Sequence, residues 1–83
     1  MNETISIIIP TFNRAHSLPE AIHSVLNQLA GNWELIIVDD GSTDETHLVI
    51  EEYLKDKRIR YFFQKNSGVS SARNKGIAET NAD

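Results

Sequence analysis

Glu34-Leu35-Ile36-Ile37-Val38-Asp39-Asp40-Gly41 is the stretch on which the reading of this chain turns. An apolar run passes without a break into two carboxylates and a glycine. Apolar residues at successive rather than alternate positions fit a strand buried on both faces, as in a parallel sheet. The same holds for Ile5-Ser6-Ile7-Ile8-Ile9, which Pro10 closes. A third run, Ile59-Arg60-Tyr61-Phe62-Phe63, is more polar and reads as an edge strand.

Helical patterns separate these runs. Leu18, Ala21, Ile22, Val25, Leu26 and Leu29 share one face at a spacing of three and four, with Ser17 and Glu20 forming a capping-box pattern, Pro19 in the first turn and Gly31 as the stop. Ser42 and Glu45 form a second capping-box pattern, ahead of an apolar face of Val49, Ile50, Tyr53 and Leu54. Val69, Ala72, Gly76 and Ile77 define a third helix whose small residues permit close approach to the sheet. Trp33 is expected to pack at the entrance to the second strand, and Glu51, Glu52, Lys55, Asp56, Lys57 and Arg58 to form a solvated helix end. The order βαβαβα predicts an α/β, three-layer Rossmann-like fold with a parallel sheet ordered 3-2-1. In that order the first strand lies at an open edge, relieved only by Ser6. The chain is therefore expected to be the N-terminal part of a larger domain, ending before a fourth strand that would cover this edge. Alone, it is expected to self-associate through the open edge or to fold poorly.

Composition bounds the function. A chain of 83 residues buries only about 60–65% of its unfolded surface, so its core is marginal. Twelve acidic residues against eight basic ones give a net charge of −4, which argues against a nucleic-acid module. The absence of cysteine excludes disulfides, thiol nucleophiles and cysteine-ligated zinc. No basic leader or membrane-length apolar run is seen, so a soluble, cytoplasmic protein without a membrane segment is expected.

In open α/β sheets, ligands collect at the carboxyl ends of the strands. Three polar segments are expected there: Pro10 to Arg14, Asp39 to Asp44, and Asn66 to Asn74. Adjacent carboxylates repel, so at least one of Asp39 and Asp40 needs a donor or cation, either from a ligand or from turn amides. The two roles can be divided between them. Gly41 permits a positive φ or a close backbone approach, and an ordinary turn explains it as well. Neither a dinucleotide fingerprint nor a P-loop is present. Arg14 reads as a solvated loop charge. Arg73, beside Ala72 and Gly76, is placed on the sheet-facing side of its helix, where it needs a partner: a phosphate, Asp39 or Asp40. Lys75 is expected to be exposed, and His16, His23 and His47 show no metal spacing.

Three blocks together carry a resemblance: Ser6 to Arg14, Glu34 to Asp44, and Asn66 to Ile77. In order and spacing they resemble the start of a family-two glycosyltransferase with the GT-A nucleotide-sugar fold. Phe12 stands where that family more often has tyrosine, which keeps an aromatic wall without the hydroxyl. The resemblance implies that residues 1–83 are the nucleotide-binding portion of a catalytic domain. Pro10, Thr11 and Phe12 would border the base, Asp40 would accept the uracil N3–H, and Asp39 would brace the loop. Arg73 or Asn74 would position the nucleotide. The family's D-x-D motif and catalytic base are not in this segment, so its metal (Mg²⁺ or Mn²⁺) and catalytic residues would lie outside it. The implied reaction is inverting transfer from a nucleotide sugar, expected to be a UDP-sugar, to an acceptor hydroxyl on a glycan or lipid-linked partner. A non-catalytic nucleotide-binding or interaction module is the alternative. A receiver domain is a third reading, but the phospho-acceptor aspartate it needs after a further strand is missing.

Overall fold

The computed structural model describes residues 4–80. Strand β1 (Ile5–Thr11) leads to helix α1 (Leu18–Leu26), strand β2 (Trp33–Asp40) and helix α2 (Thr46–Glu51). A single 3-10 turn (Tyr53–Lys55), strand β3 (Ile59–Gln64) and helix α3 (Val69–Ala78) follow. The sheet is parallel with order β1-β2-β3, the arrangement anticipated from the alternation of runs. In register, Ile7 lies opposite Leu35, Leu35 opposite Ile59, and Asp40 opposite Gln64. All eight residues of β2 are buried, which is why its sequence shows no alternation.

Successive strand residues point to opposite faces, and the two faces are built differently. On one, Leu18 and Ile22 of α1 and Ile50 of α2 join Trp33, Leu35, Ile37 and Ile59 in the larger core, with Ile7, Ile9 and Tyr61 packed against it. Trp33 closes the lower end of this core, with the Arg58 guanidinium 3.9 Å from its ring centre. On the other face, Ile36 and Val38 meet only Ala72 of α3, flanked by Ile8 and Phe62. The helix sits very close: a Cβ on Gly76 would lie 2.4 Å from Ile8 Cγ2. Below this contact a polar row crosses the sheet. Ser6 Oγ donates to Glu34 Oε2 at 2.5 Å, Arg60 pairs with Glu34 Oε1 at 3.2 Å, and Arg60 also donates to the Glu79 carbonyl at the end of α3.

Several local expectations are corrected. Helix α1 stops at Leu26 rather than near Leu29, because Gln28 and Leu29 turn back onto Val25 and Leu26 through tighter, three-residue hydrogen bonds. Gly31, with φ 74°, turns the chain into β2 instead of capping the helix. Ala21 is exposed. Neither capping box forms. Ser17 has helical backbone angles, not the extended ones a cap needs, and its hydroxyl donates back to the Arg14 carbonyl. Ser42 is drawn instead to the β1–α1 loop, where its hydroxyl accepts the Asn13 N–H at 2.8 Å. Helix α2 starts at Thr46, whose N–H and hydroxyl both donate to Asp44 Oδ1. Leu54 is exposed, as are Val69 and Ile77 of α3. So tight an approach through Ala72 and Gly76 leaves α3 with a narrow contact stripe. Among the described residues, no helix is long and apolar enough to cross a membrane.

Candidate functional site

A cleft of about 320 Å³ opens at the carboxyl ends of the strands, lined by Pro10, Thr11, Phe12, Arg14, Asp40, Asn66 and Val69. Strand β1 delivers its first wall: Thr11 is buried, and Phe12 projects from the strand end with 45% of its surface exposed. Asn13 then takes φ 50°, a left-handed conformation that asparagine tolerates better than most residues. Its Oδ1 accepts from the N–H groups of Thr43 at 2.8 Å and Asp44 at 3.3 Å. Asp44 Oδ2 answers by accepting from Ala15 N at 3.1 Å. With the Asn13–Ser42 bond, these contacts tie the β1–α1 loop to the β2–α2 loop and fix where Phe12 and Arg14 stand.

The two aspartates avoid each other by facing opposite sides of β2. Asp39, 1% exposed, lies on the α1/α2 side. There it accepts from Ser42 N at 2.8 Å and from the Tyr61 hydroxyl at 2.5 Å. Burial, reinforced by the hydrogen bond to Asp39, raises the Tyr61 pKa well above the ordinary phenol range, so the hydroxyl remains a donor. Asp40 lies on the α3 side and gathers the β3–α3 loop. It accepts from Gln64 Nε2 and Ser67 N at 2.8 Å each, and from Gly68 N at 2.9 Å. The Gln64 hydrogen bond, followed by those from Ser67 and Gly68, outweighs burial and holds its carboxyl below the usual range. Gly41 is needed on both counts anticipated for it. Its φ is 82°, and a Cβ there would lie 2.7 Å from Asn66 N.

The cleft thus unites Pro10, Thr11, Phe12 and Asp40. Asp39 is adjacent in sequence but sealed on the opposite face. Arg73 and Asn74 are exposed on α3 and do not line the cleft, so the expectation of a sheet-facing Arg73 is corrected. The buried stripe of α3 consists of Ala72 and Gly76, and position 73 is rotated away from it. Lys75, expected to be exposed, is half-buried, pairs with Glu79 at 3.0 Å and lies 5.3 Å from the Phe62 ring centre. Arg14, read as a loop charge, lines the cleft, as does Asn66, to which the sequence reading gave no role. A signal for Asn66 was available: it opens the polar segment after β3, which a 3-2-1 sheet sets beside the end of β2. His23 is paired with the Tyr53 hydroxyl at 2.9 Å. Among the described residues, no group of three or more His, Cys, Asp or Glu side chains could hold a metal ion.

The family model for glycosyl transferase family 2 matches residues 6–83, spanning all three strands and every segment of the cleft. The chain belongs to glycosyl transferase family 2. An uncharacterized glycosyltransferase of Rickettsia felis is 52% identical over 73 residues, covering 88% of this chain and 12% of the relative. Glycosyltransferase GlyG of Streptococcus pneumoniae is 38% identical over 80 residues, covering 94% of this chain and 27% of the relative. The chain therefore spans less than a third of either relative. A mannosyltransferase from Pyrobaculum calidifontis, solved in complex with GDP-Man and Mn²⁺, superposes with a TM-score of 0.80 at 19% identity. That superposition takes in 99% of this chain and 26% of the mannosyltransferase, and establishes the fold the two share.

Proposed function

We propose that this chain is the nucleotide-binding portion, residues 1–83, of a longer glycosyltransferase that uses a UDP-sugar. The observation that carries the reading is the pairing, in one cleft, of an exposed aromatic ring with a recessed carboxylate. Phe12 offers a face on which a base stacks, and Asp40 offers only acceptors, which suits the N3–H of uracil. Pro10 and Thr11 border the base, and Asp39 braces the β2–α2 loop. Arg73 or Asn74, exposed on α3, would help position the nucleotide. In the whole enzyme an acceptor hydroxyl on a glycan or lipid-linked partner would attack the anomeric carbon. The bond to the diphosphate would break as the new bond forms, inverting the configuration and releasing UDP. A divalent cation, Mg²⁺ or Mn²⁺, would stabilise the departing diphosphate. The described residues do not fit such a cation, and this segment is assigned no part in holding it. We place the segment in the cytoplasm. The open β1 edge, where Ile5 is 53% exposed, should make the isolated chain self-associate in sedimentation, and a monodisperse monomer would count against this.

Calorimetric titration with UDP tests the binding role. Phe12 has no side-chain hydrogen bond to lose, so Phe12→Ala should leave the fold intact and weaken UDP about tenfold, in line with stacking on an aromatic ring. Asp40→Asn should also weaken UDP about tenfold, by losing a charge-assisted acceptor, whereas Asp39→Asn should act on thermal stability alone. A longer enzyme that binds no UDP, or variants of it at Phe12 and Asp40 that bind like the parent, would contradict the reading.

A further inference from the structure

Asp40 uses its two oxygens unequally. Oδ1 accepts two short bonds, from Gln64 Nε2 and Ser67 N at 2.8 Å each. Oδ2 accepts one short bond, from Gly68 N at 2.9 Å, and has Asn66 Nδ2 at 3.4 Å as its other neighbour. A carboxylate offers about four lone-pair sites, so three are well used and the fourth is held only weakly. The Asn66 amide is anchored independently, because Nδ2 also donates to the Asp40 carbonyl at 2.9 Å. With a carbonyl and a carboxylate before it, the nitrogen of this amide, not its oxygen, must face Asp40. The Asn66 backbone is seated directly against Gly41, where any Cβ would collide with Asn66 N at 2.7 Å. Asn66 is exposed, and both residues line the cleft.

The geometry points to Asn66 as a residue that selects the nucleobase, by exchanging its long contact with Asp40 for one to the base. The N–H of the base donates to Asp40 Oδ2, and the carbonyl beside that N–H accepts from Asn66 Nδ2. This rests on the nucleotide-binding reading above and narrows it to bases with an imide edge, N–H next to C=O, as in uracil and guanine. Cytosine and adenine present a ring-nitrogen lone pair beside an exocyclic amine. A ring lone pair set toward Asp40 would face a negative oxygen. An imide N–H is also more acidic than an exocyclic amine, and so is the stronger donor to a carboxylate. Three of the four acceptor sites stay on Gln64, Ser67 and Gly68 throughout, so the β3–α3 loop keeps its position while the base enters.

UDP and CDP share ring size, ribose and diphosphate, and differ only at this edge. Both are to be titrated calorimetrically into the longer enzyme that carries this segment and into its Asn66→Ala variant, with thermal unfolding run alongside. The parent should bind UDP at least about tenfold more tightly than CDP, as a site built to match one hydrogen-bonding edge does. Asn66→Ala should weaken UDP about fivefold with CDP unchanged, closing most of the gap. Equal binding of UDP and CDP by the parent would overturn selection by the edge while leaving nucleotide binding standing. Equal losses for both nucleotides in Asn66→Ala would overturn the role of Asn66. Binding of neither nucleotide by the parent would bring down the underlying reading as well. The parent's UDP-to-CDP ratio needs no variant, so selection by the base edge stays open to refutation even where Asn66→Ala fails to fold.

Discussion

The two sides of the sheet do different work, although the same three strands supply both. The α1/α2 side is a broad apolar core, and its aspartate, Asp39, is sealed between Tyr61 and the β2–α2 loop. The α3 side has little apolar depth: Ile36, Val38 and Ala72, with a polar row below and Asp40 above. One side holds the chain together and the other is thin enough to carry a cleft. A close helix contact through Ala72 and Gly76 keeps the α3 side folded without bulky side chains that would fill the space beside Asp40.

Core truncations should break this comparison most visibly. Ile37 and Ile36 are adjacent, fully buried and chemically identical, but face opposite sides. Ile37→Ala should cost about 4 kcal/mol and Ile36→Ala about 2–3 kcal/mol in urea unfolding, within the usual range for such changes. Equal costs would show that the two sides contribute alike.

Glycine substitutions sharpen the comparison at the loops. Gly31 and Gly41 both have positive φ, but a Cβ meets nothing within 4 Å at Gly31 and meets Asn66 N at 2.7 Å at Gly41. Gly31→Ala should therefore cost only the left-handed penalty, about 1 kcal/mol. Gly41→Ala adds a backbone collision and should cost about 2–3 kcal/mol, with Asn66 displaced. If the two cost the same by thermal unfolding, the packing of the β3–α3 loop against Gly41 is looser than described.

The smallest effect is acid destabilisation. In the folded chain the Asp40 and Asp44 carboxyls are held below the ordinary aspartate range, Asp40 chiefly through Gln64 and Asp44 chiefly through the Thr46 hydroxyl. The unfolded chain therefore takes up protons first as the pH falls. The stabilisation is fully present above the unfolded pKa and is lost as the pH drops through the folded values, that is, below about pH 4. Asp56, lowered mainly by its hydrogen bond from Arg58, adds to the same limb. The thermal midpoint should fall between pH 5 and about pH 3. Asp44→Asn should flatten that fall, and an unchanged slope would remove Asp44 from the account.

The strands and their order were legible because buried parallel strands write themselves as apolar runs, and β2 is buried at every position. The site was legible in part. Phe12 and Asp40 stand at strand ends, where topology alone puts them together. The partners of the polar loop side chains were not, because those of Asn13 and Ser42 lie some thirty residues away in sequence. Ser42 fits a capping box locally, yet Asn13 captures it from another loop. Arg73 looked buried because its neighbour Ala72 is, but the contact of α3 is too narrow to include it. Asn66 gained its significance only once Gly41 and Asp40 were seen against it.

The central claim is that the thin side of the sheet, at Asp40 and not at Asp39, receives the nucleotide. Its most direct test is an amide chemical-shift map of this segment within the longer enzyme during titration with UDP. The account predicts shifts concentrated at Phe12, Asp40, Asn66, Ser67 and Gly68, with Ile22, Ile50 and Tyr61 unmoved. Shifts centred on Tyr61 and the α1/α2 side, or none at saturating UDP, would contradict it.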